Sequence, residues 1–342
     1  MTSTHTSQPL VKRLVSLLVA VATALGLAVA AAPAASANRD QLRKGCTWGP
    51  ENWWVQNCWL YSQSMGQMIQ VQIRAAKNGG NAGLYLLDGM RASSVYNEWS
   101  RAGRAPQTFV DDNVTLVMPV GGMAQFYTDW NGSFVGPDTH PKNPKWETFL
   151  TRELPAYLQS NFGVSPTNNA IAGLSMGGTA ALNLAANHRD QFKQVTSLSG
   201  YTSTADPAMY AALQVAMLDV AGPGAQIWNM WGVPGSEQLT RNDPTTSAVI
   251  GKYKGINMFL SAATGVTTPE ELGLWVQDPG GVLAGMGLEF LARATTSAFE
   301  ASARAGGANI ATSYPAMGIH NWGLWSNELG AARGQIKSSV GA

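Results

Sequence analysis

The sequence predicts an α/β protein: a mostly parallel central sheet with helices on both faces, and a helical or loop-rich cap over the carboxyl end of the sheet. Three observations predict it. Short apolar runs suited to buried parallel strands alternate with segments of helical period through the middle of the chain. A serine flanked by glycines, Gly173-Leu-Ser-Met-Gly177, lies at one strand-to-helix junction. Residues 203–248 are rich in Met, Trp, Gly and Pro but show no strand pattern, which assigns them to the cap.

The elements follow in order. Lys12 and Arg13 precede an almost wholly apolar run from Leu14 to Ala32, and Ala35-Ser-Ala37 offers a small-residue cleavage site before Asn38. This predicts a secretory signal peptide over 1–37, with an uncleaved membrane anchor as the alternative, and a single domain over 38–342. In an exported chain the two cysteines, Cys46 and Cys58, are expected to form a disulfide. Two sulfurs with no nearby histidine cluster are a poor metal site, so no metal is expected. Residues 67–74 alternate as a half-buried strand does, and 83–87 and 114–118 read as buried strands ended by Asp-Gly and by Pro. Residues 146–160 have helical spacing, with Trp146, Phe149, Leu150, Leu154 and Leu158 on one face. Asn169 to Leu174 reads as a strand, Thr179 to Asn187 as a helix, and Val195 to Leu198 and Ile256 to Leu260 as two further strands.

Composition sets the limits. The 342 residues are 45% hydrophobic and 13% charged, enough for a large core and unlike a disordered chain. The formal net charge is +1, and removal of residues 1–37 would take away two cations and no carboxylate. A near-neutral surface excludes the basic footprint that nucleic acid requires, and no protein partner is implied.

Gly173-Leu-Ser-Met-Gly177 fits the nucleophile elbow of the α/β-hydrolase fold. Its glycines permit a sharp turn that lifts the Ser175 hydroxyl above the sheet and points the Met176 N–H at a developing oxyanion. Ser175 then needs a base, and the chain has four histidines. His5 lies in the predicted signal. His188 closes the helix that leaves the elbow, a position suited to capping. His140 precedes the serine, whereas in this fold the acid and then the histidine follow it. His320 remains. Ten carboxylates lie between Ser175 and His320, and spacing leaves Glu270, Glu271, Asp278 and Glu289 as equal candidates for the acid. Asp88-Gly-Met-Arg91 ends a strand and is either a simple turn or the source of a second oxyanion N–H.

The chain resembles the mycolyltransferases of the antigen 85 type, from the esterase branch of the α/β-hydrolases, over about residues 60–335. The blocks that carry the likeness include Ser64-Met-Gly66, Leu86-Leu-Asp-Gly-Met-Arg91, Met118-Pro-Val-Gly-Gly122, Phe126-Tyr-Thr-Asp-Trp130 and Lys145-Trp-Glu-Thr-Phe-Leu150. They continue through Glu153-Leu-Pro155, Gly173-Leu-Ser-Met176, Met230-Trp-Gly232, Asn242-Asp-Pro-Thr245 and His320-Asn-Trp322. The resemblance implies Ser175 as nucleophile, His320 as base and Glu289 as acid. It implies oxyanion amides at Met90 and Met176, and sugar contacts from Asp88, Arg91 and Trp322. It implies acyl transfer among trehalose mycolates and cell-wall glycans, with no cofactor. Cys46, Cys58 and the tryptophans Trp48, Trp53, Trp54 and Trp59 lie outside the matching blocks, and Gly177-Gly178 replaces other small residues after the elbow. These departures suggest a divergent, corynebacterial-like member. Two other functions use the same residues or fold: an exported carboxylesterase with water as acceptor, and a wall-binding protein without chemistry.

Overall fold

The computed structural model describes residues 1–2, 38–136 and 141–342. The predicted signal peptide and His140 lie outside the described residues.

Among the described residues nine strands form one sheet: β1 (Cys46–Trp48), β2 (Gln56–Ser62), β3 (Gln67–Arg74), β4 (Ala82–Leu87), β5 (Val114–Pro119), β6 (Asn169–Leu174), β7 (Phe192–Leu198), β8 (Asn257–Ser261) and β9 (Asn309–Ser313). Their order is β1-β2-β3-β5-β4-β6-β7-β8-β9. The first three pair antiparallel, and β5 through β9 are parallel. The longer helices are α1 (Leu154–Phe162), α2 (Met176–Asn187), α3 (Pro207–Ala221), α4 (Pro279–Ala305) and α5 (Trp322–Val340).

Period-two alternation divides the core between the two faces of the sheet. Tyr85, Leu87, Val117, Ile171, Val195 and Met258 share one apolar cluster with Ala181, Leu182 and Ala185 of α2. Leu84, Leu86, Leu116, Ala170, Ala172 and Phe259 share the other with Leu329, Ala332 and Ile336 of α5. The central strands β4, β5 and β6 are buried at every position, hence their nearly continuous apolar runs.

Most predicted elements appear within a few residues of their expected bounds, with three differences of kind. The 146–160 helix is not uniform: a π-helical turn, Phe149–Glu153, separates Trp146–Thr148 from α1. The helix after the elbow starts at Met176, directly after the serine, rather than at Thr179. Strands β1, β2 and β9 were not anticipated; they lie at the sheet margins, where one face or both stays partly wet and the apolar signal is thin. The cap over 203–248 is helical as expected, built from α3 and the short helices Ile227–Trp231 and Glu237–Arg241. Asn183 of α2 ties it down by donating from Nδ2 to the Asn242 carbonyl at 2.7 Å.

Candidate active site

The site forms at the carboxyl ends of the parallel strands, the place where open α/β sheets hold their ligands. Ser175 links β6 to α2 with φ 51° and ψ −123°, a left-handed backbone that a non-glycine residue adopts only when its surroundings hold it there. Close packing supplies that hold. A Cβ on Gly173 would lie 2.2 Å from the Gly177 carbonyl oxygen, and one on Gly177 would lie 2.4 Å from the Asp88 carbonyl oxygen. The two glycines therefore let the strand, the helix and the β4 loop meet at the serine. Ser175 itself donates its backbone N–H to the Leu198 carbonyl at 2.8 Å, and 7% of its surface stays exposed.

Helix α2 begins at Met176, so its first N–H groups have no intrahelical partner and face the space above the serine. The Asp88–Arg91 turn lies against the same space: a Cβ on Gly89 would come within 3.6 Å of the Ser175 Cβ. The Met90 carbonyl accepts from Ala124 N–H at 3.0 Å, which fixes the orientation of this turn. The Asp88–Arg91 turn and the start of α2 thus pack against each other at Ser175.

Of the four candidate acids, only Glu289 meets His320. It is fully buried on α4, and its Oε2 lies 2.8 Å from His320 Nδ1. Its Oε1 accepts from Ser199 Oγ at 2.8 Å and from Ala263 N–H at 2.7 Å. Three partners satisfy the carboxylate without solvent, which a buried charge demands. Glu271 does a different job: its Oε1 accepts from Asn321 Nδ2 at 2.6 Å and Ile319 N–H at 3.4 Å, holding the loop on both sides of His320. Asp278 caps α4 through Gly281 N–H, and Glu270 is exposed. His320 N–H donates to the Gly285 carbonyl at 3.2 Å, tying the loop to the turn of α4 that precedes Glu289. No hydrogen bond joins Ser175 Oγ to His320 among the described residues.

Three residues that sequence reasoning missed complete the setting. Ser199, left-handed at φ 52°, follows β7 as Ser175 follows β6, and its Oγ accepts from Trp325 Nε1 at 3.0 Å while donating to Glu289. The Trp325 ring stands edge-on to His320 at 4.8 Å. Tyr201 also lies against the imidazole, tilted, at 5.9 Å. Its hydroxyl neighbours Ser175 without a well-aligned hydrogen bond, and burial raises its pKa, with the Glu289 charge adding to the effect. A small residue just past a parallel strand was the available signal for Ser199; nothing marked Tyr201 or Trp325.

The residues expected to contact sugar differ in exposure. Asp88 is 2% exposed; its Oδ2 accepts from Glu98 N–H at 3.0 Å and its Oδ1 has no partner. Burial pushes its pKa up to about 8 against the pull of the Glu98 hydrogen bond. Arg91 stands at the surface and pairs with Asp219 of α3 at 2.6 Å, bridging the β4 loop and the cap. Trp322 is half-buried, edge-on to Trp99 at 5.3 Å and to Trp325 at 5.4 Å. His188, away from the site, ends α2 as expected and lies 2.6 Å from Glu147, which also holds Arg241. Cys46 and Cys58 are cross-strand partners of β1 and β2 and are joined by a disulfide.

Residues 62–336 match the Esterase family. The chain is 39% identical over 283 residues to the diacylglycerol acyltransferase/mycolyltransferase Ag85A of Mycobacterium gordonae, covering 82% of this chain and 79% of that one. It is 38% identical over 282 residues to Ag85B of Mycobacterium avium, covering 82% of each. Among solved structures, Mycobacterium tuberculosis MPT51 (FbpC1) superposes with a TM-score of 0.71 at 27% identity, covering 84% of this chain and 98% of that one. The chain belongs to the Esterase family and, within it, to the mycolyltransferases of the antigen 85 type.

Proposed function

We propose that the protein is an exported serine acyltransferase that moves a mycoloyl group from trehalose monomycolate to a sugar hydroxyl. The acceptor is a second trehalose monomycolate, giving trehalose dimycolate, or the arabinogalactan of the cell wall. The observation that carries this reading is the buried Glu289–His320 pair at 2.8 Å beside a strained, glycine-packed Ser175. That the relatives at 38–39% identity are mycolyltransferases supports the acyl group. The positive, apolar, small-residue sequence of 1–37 supports export and a place in the cell envelope.

The proposed reaction draws on Ser175, His320, Glu289 and the Met90 and Met176 amides. His320, held by Glu289, takes the Ser175 proton as the serine oxygen attacks the ester carbonyl. The oxyanion develops between the Met90 and Met176 N–H groups. His320 returns the proton to the departing trehalose oxygen, leaving an acyl-Ser175 ester. The acceptor hydroxyl then loses its proton to His320, attacks the acyl carbon and releases Ser175. For the sugar, Arg91 offers a guanidinium and Trp322 a ring face, while the free Oδ1 of Asp88 is buried and meets a sugar hydroxyl only if the β4 loop opens.

The test is covalent trapping. A fluorophosphonate probe should label the protein, and Ser175→Ala should abolish labelling and lower turnover by about 10⁴-fold or more. Undiminished labelling of the Ser175→Ala protein would refute the assignment.

A further inference from the structure

The connection between β1 and β2, residues 49–55, is built in a way that chain closure alone does not require. Asn52, Trp53 and Trp54 are consecutive left-handed residues at φ 61°, 53° and 62°. None is glycine, and such strain persists where surrounding structure enforces it, commonly at ligand sites. Here the enforcement is visible. The Cys46–Cys58 disulfide closes the hairpin behind the loop. Gly49 N–H donates to the Val55 carbonyl at 2.8 Å, and Val55 N–H to the Asn52 carbonyl at 3.1 Å. Glu51 pairs with Arg101 at 3.0 Å. The Arg39 guanidinium covers Trp54 at 3.9 Å while donating to the Val110 carbonyl. Trp53 Nε1 lies 3.0 Å from the Gln107 side-chain oxygen when that amide is oriented to accept it.

This scaffold displays indoles to solvent. Trp48 and Trp53 are 45% and 41% exposed, although a tryptophan ordinarily buries most of its surface. With Trp54, Asn52, Gly49, Val55 and Asp40 they line an open cleft of about 500 Å³. That volume falls within the range of small-ligand sites. The cleft is distinct from the Ser175 site: β1 lies five strands from β6, roughly 24 Å at the spacing of paired strands. It also lies before residue 62, where the family match begins.

We propose that this tryptophan cleft is a second binding site and takes a neutral carbohydrate. Indole faces carry negative charge density and pack against the polarised C–H faces of sugar rings. The Asp40 carboxylate and the Asn52 amide bring acceptors and donors for hydroxyls to the same cleft. Anionic ligands fit poorly: the cleft holds a carboxylate, and the nearby Arg39 guanidinium is committed to Trp54 and the Val110 carbonyl. A site of this kind would hold the protein on a glycan surface independently of catalysis, whether or not Ser175 transfers an acyl group.

Affinity electrophoresis of the purified protein tests this, using native gels that contain arabinogalactan, dextran or, as the anionic control, polygalacturonate. At least one neutral polysaccharide should retard the protein. The double variant Trp48→Ala/Trp53→Ala should bind it at least about tenfold more weakly. Trp53→Phe, which keeps an aromatic face, should retain much of the retardation. Trp228→Ala, removing an indole that is 48% exposed on the cap, should change nothing. Hydrolysis of p-nitrophenyl butyrate by each variant reports folding and the Ser175 site separately, so loss of binding with retained hydrolysis supports the cleft alone. No retardation by either neutral polysaccharide, retardation only by polygalacturonate, or equal retardation of the double variant would each overturn the proposal.

Discussion

Ser199 shows how much of the candidate site depends on a residue that never meets the substrate. Its hydroxyl accepts from Trp325 Nε1 and donates to Glu289 Oε1, fixing the rotamer of the acid and the ring that stands against His320. Ser199→Ala leaves the Trp325 N–H without its acceptor and Glu289 with one donor fewer. Leaving a buried hydrogen-bonding group without its partner costs about 1–3 kcal/mol. Steady-state ester hydrolysis should therefore show kcat down by about tenfold with KM nearly unchanged, and an unaltered kcat would remove Ser199 from the account. Asp88 gives a prediction of a different sign. Its folded pKa, about 8, lies above the usual carboxylate value near 4. The folded state thus binds this proton more tightly than the unfolded chain. The stability it contributes is full below about pH 4 and is lost as pH rises through about 8. Asp88→Asn keeps an acceptor for Glu98 N–H and cannot ionise. It should raise stability at pH 8 by on the order of 1–3 kcal/mol, read as a higher thermal midpoint, and less at pH 5. A midpoint difference that does not depend on pH would count against a buried, titrating Asp88.

At the scale of elements, the β6–α2 turn is the least forgiving part of the molecule. Gly177→Ala would drive a methyl carbon into the Asp88 carbonyl, 2.4 Å away, and backbone on both sides leaves no room to yield. A loss of about 3 kcal/mol or more is expected, read as failure to accumulate folded protein or a sharp drop in the denaturation midpoint. The elbow was legible in the sequence because this turn demands glycines at fixed spacing. The buried strands β4, β5 and β6 were legible because they are apolar at every position. The acid was not. The candidate acid Glu289 sits in the interior of the 27-residue helix α4 rather than just beyond β8; spacing left it level with three other carboxylates, and only the family likeness singled it out. The marginal strand β9 buries Ile310 and little else, too weak a pattern to read as a strand. Glu271 was a sensible candidate acid by position, yet it serves the loop that carries His320.

At the scale of the whole molecule, the sheet divides into a parallel half that carries the candidate chemistry and an antiparallel margin that carries the disulfide and the tryptophan cleft. The two should respond separately. Reduction of Cys46–Cys58, which closes a loop of sequence separation 12, should cost about 2–3 kcal/mol of stability and leave ester hydrolysis intact under native conditions. Loss of hydrolysis on reduction, without unfolding, would mean the margin and the Ser175 site are coupled. The central claim concerns the fate of the acyl group, because the same nucleophile, base and acid serve an esterase equally well. The most direct measurement is a product assay in which the purified protein, beside Ser175→Ala, is supplied with trehalose monomycolate. Trehalose dimycolate formed by the unmutated protein alone is the predicted result; free mycolic acid without dimycolate would contradict the transferase reading and leave a hydrolase in its place.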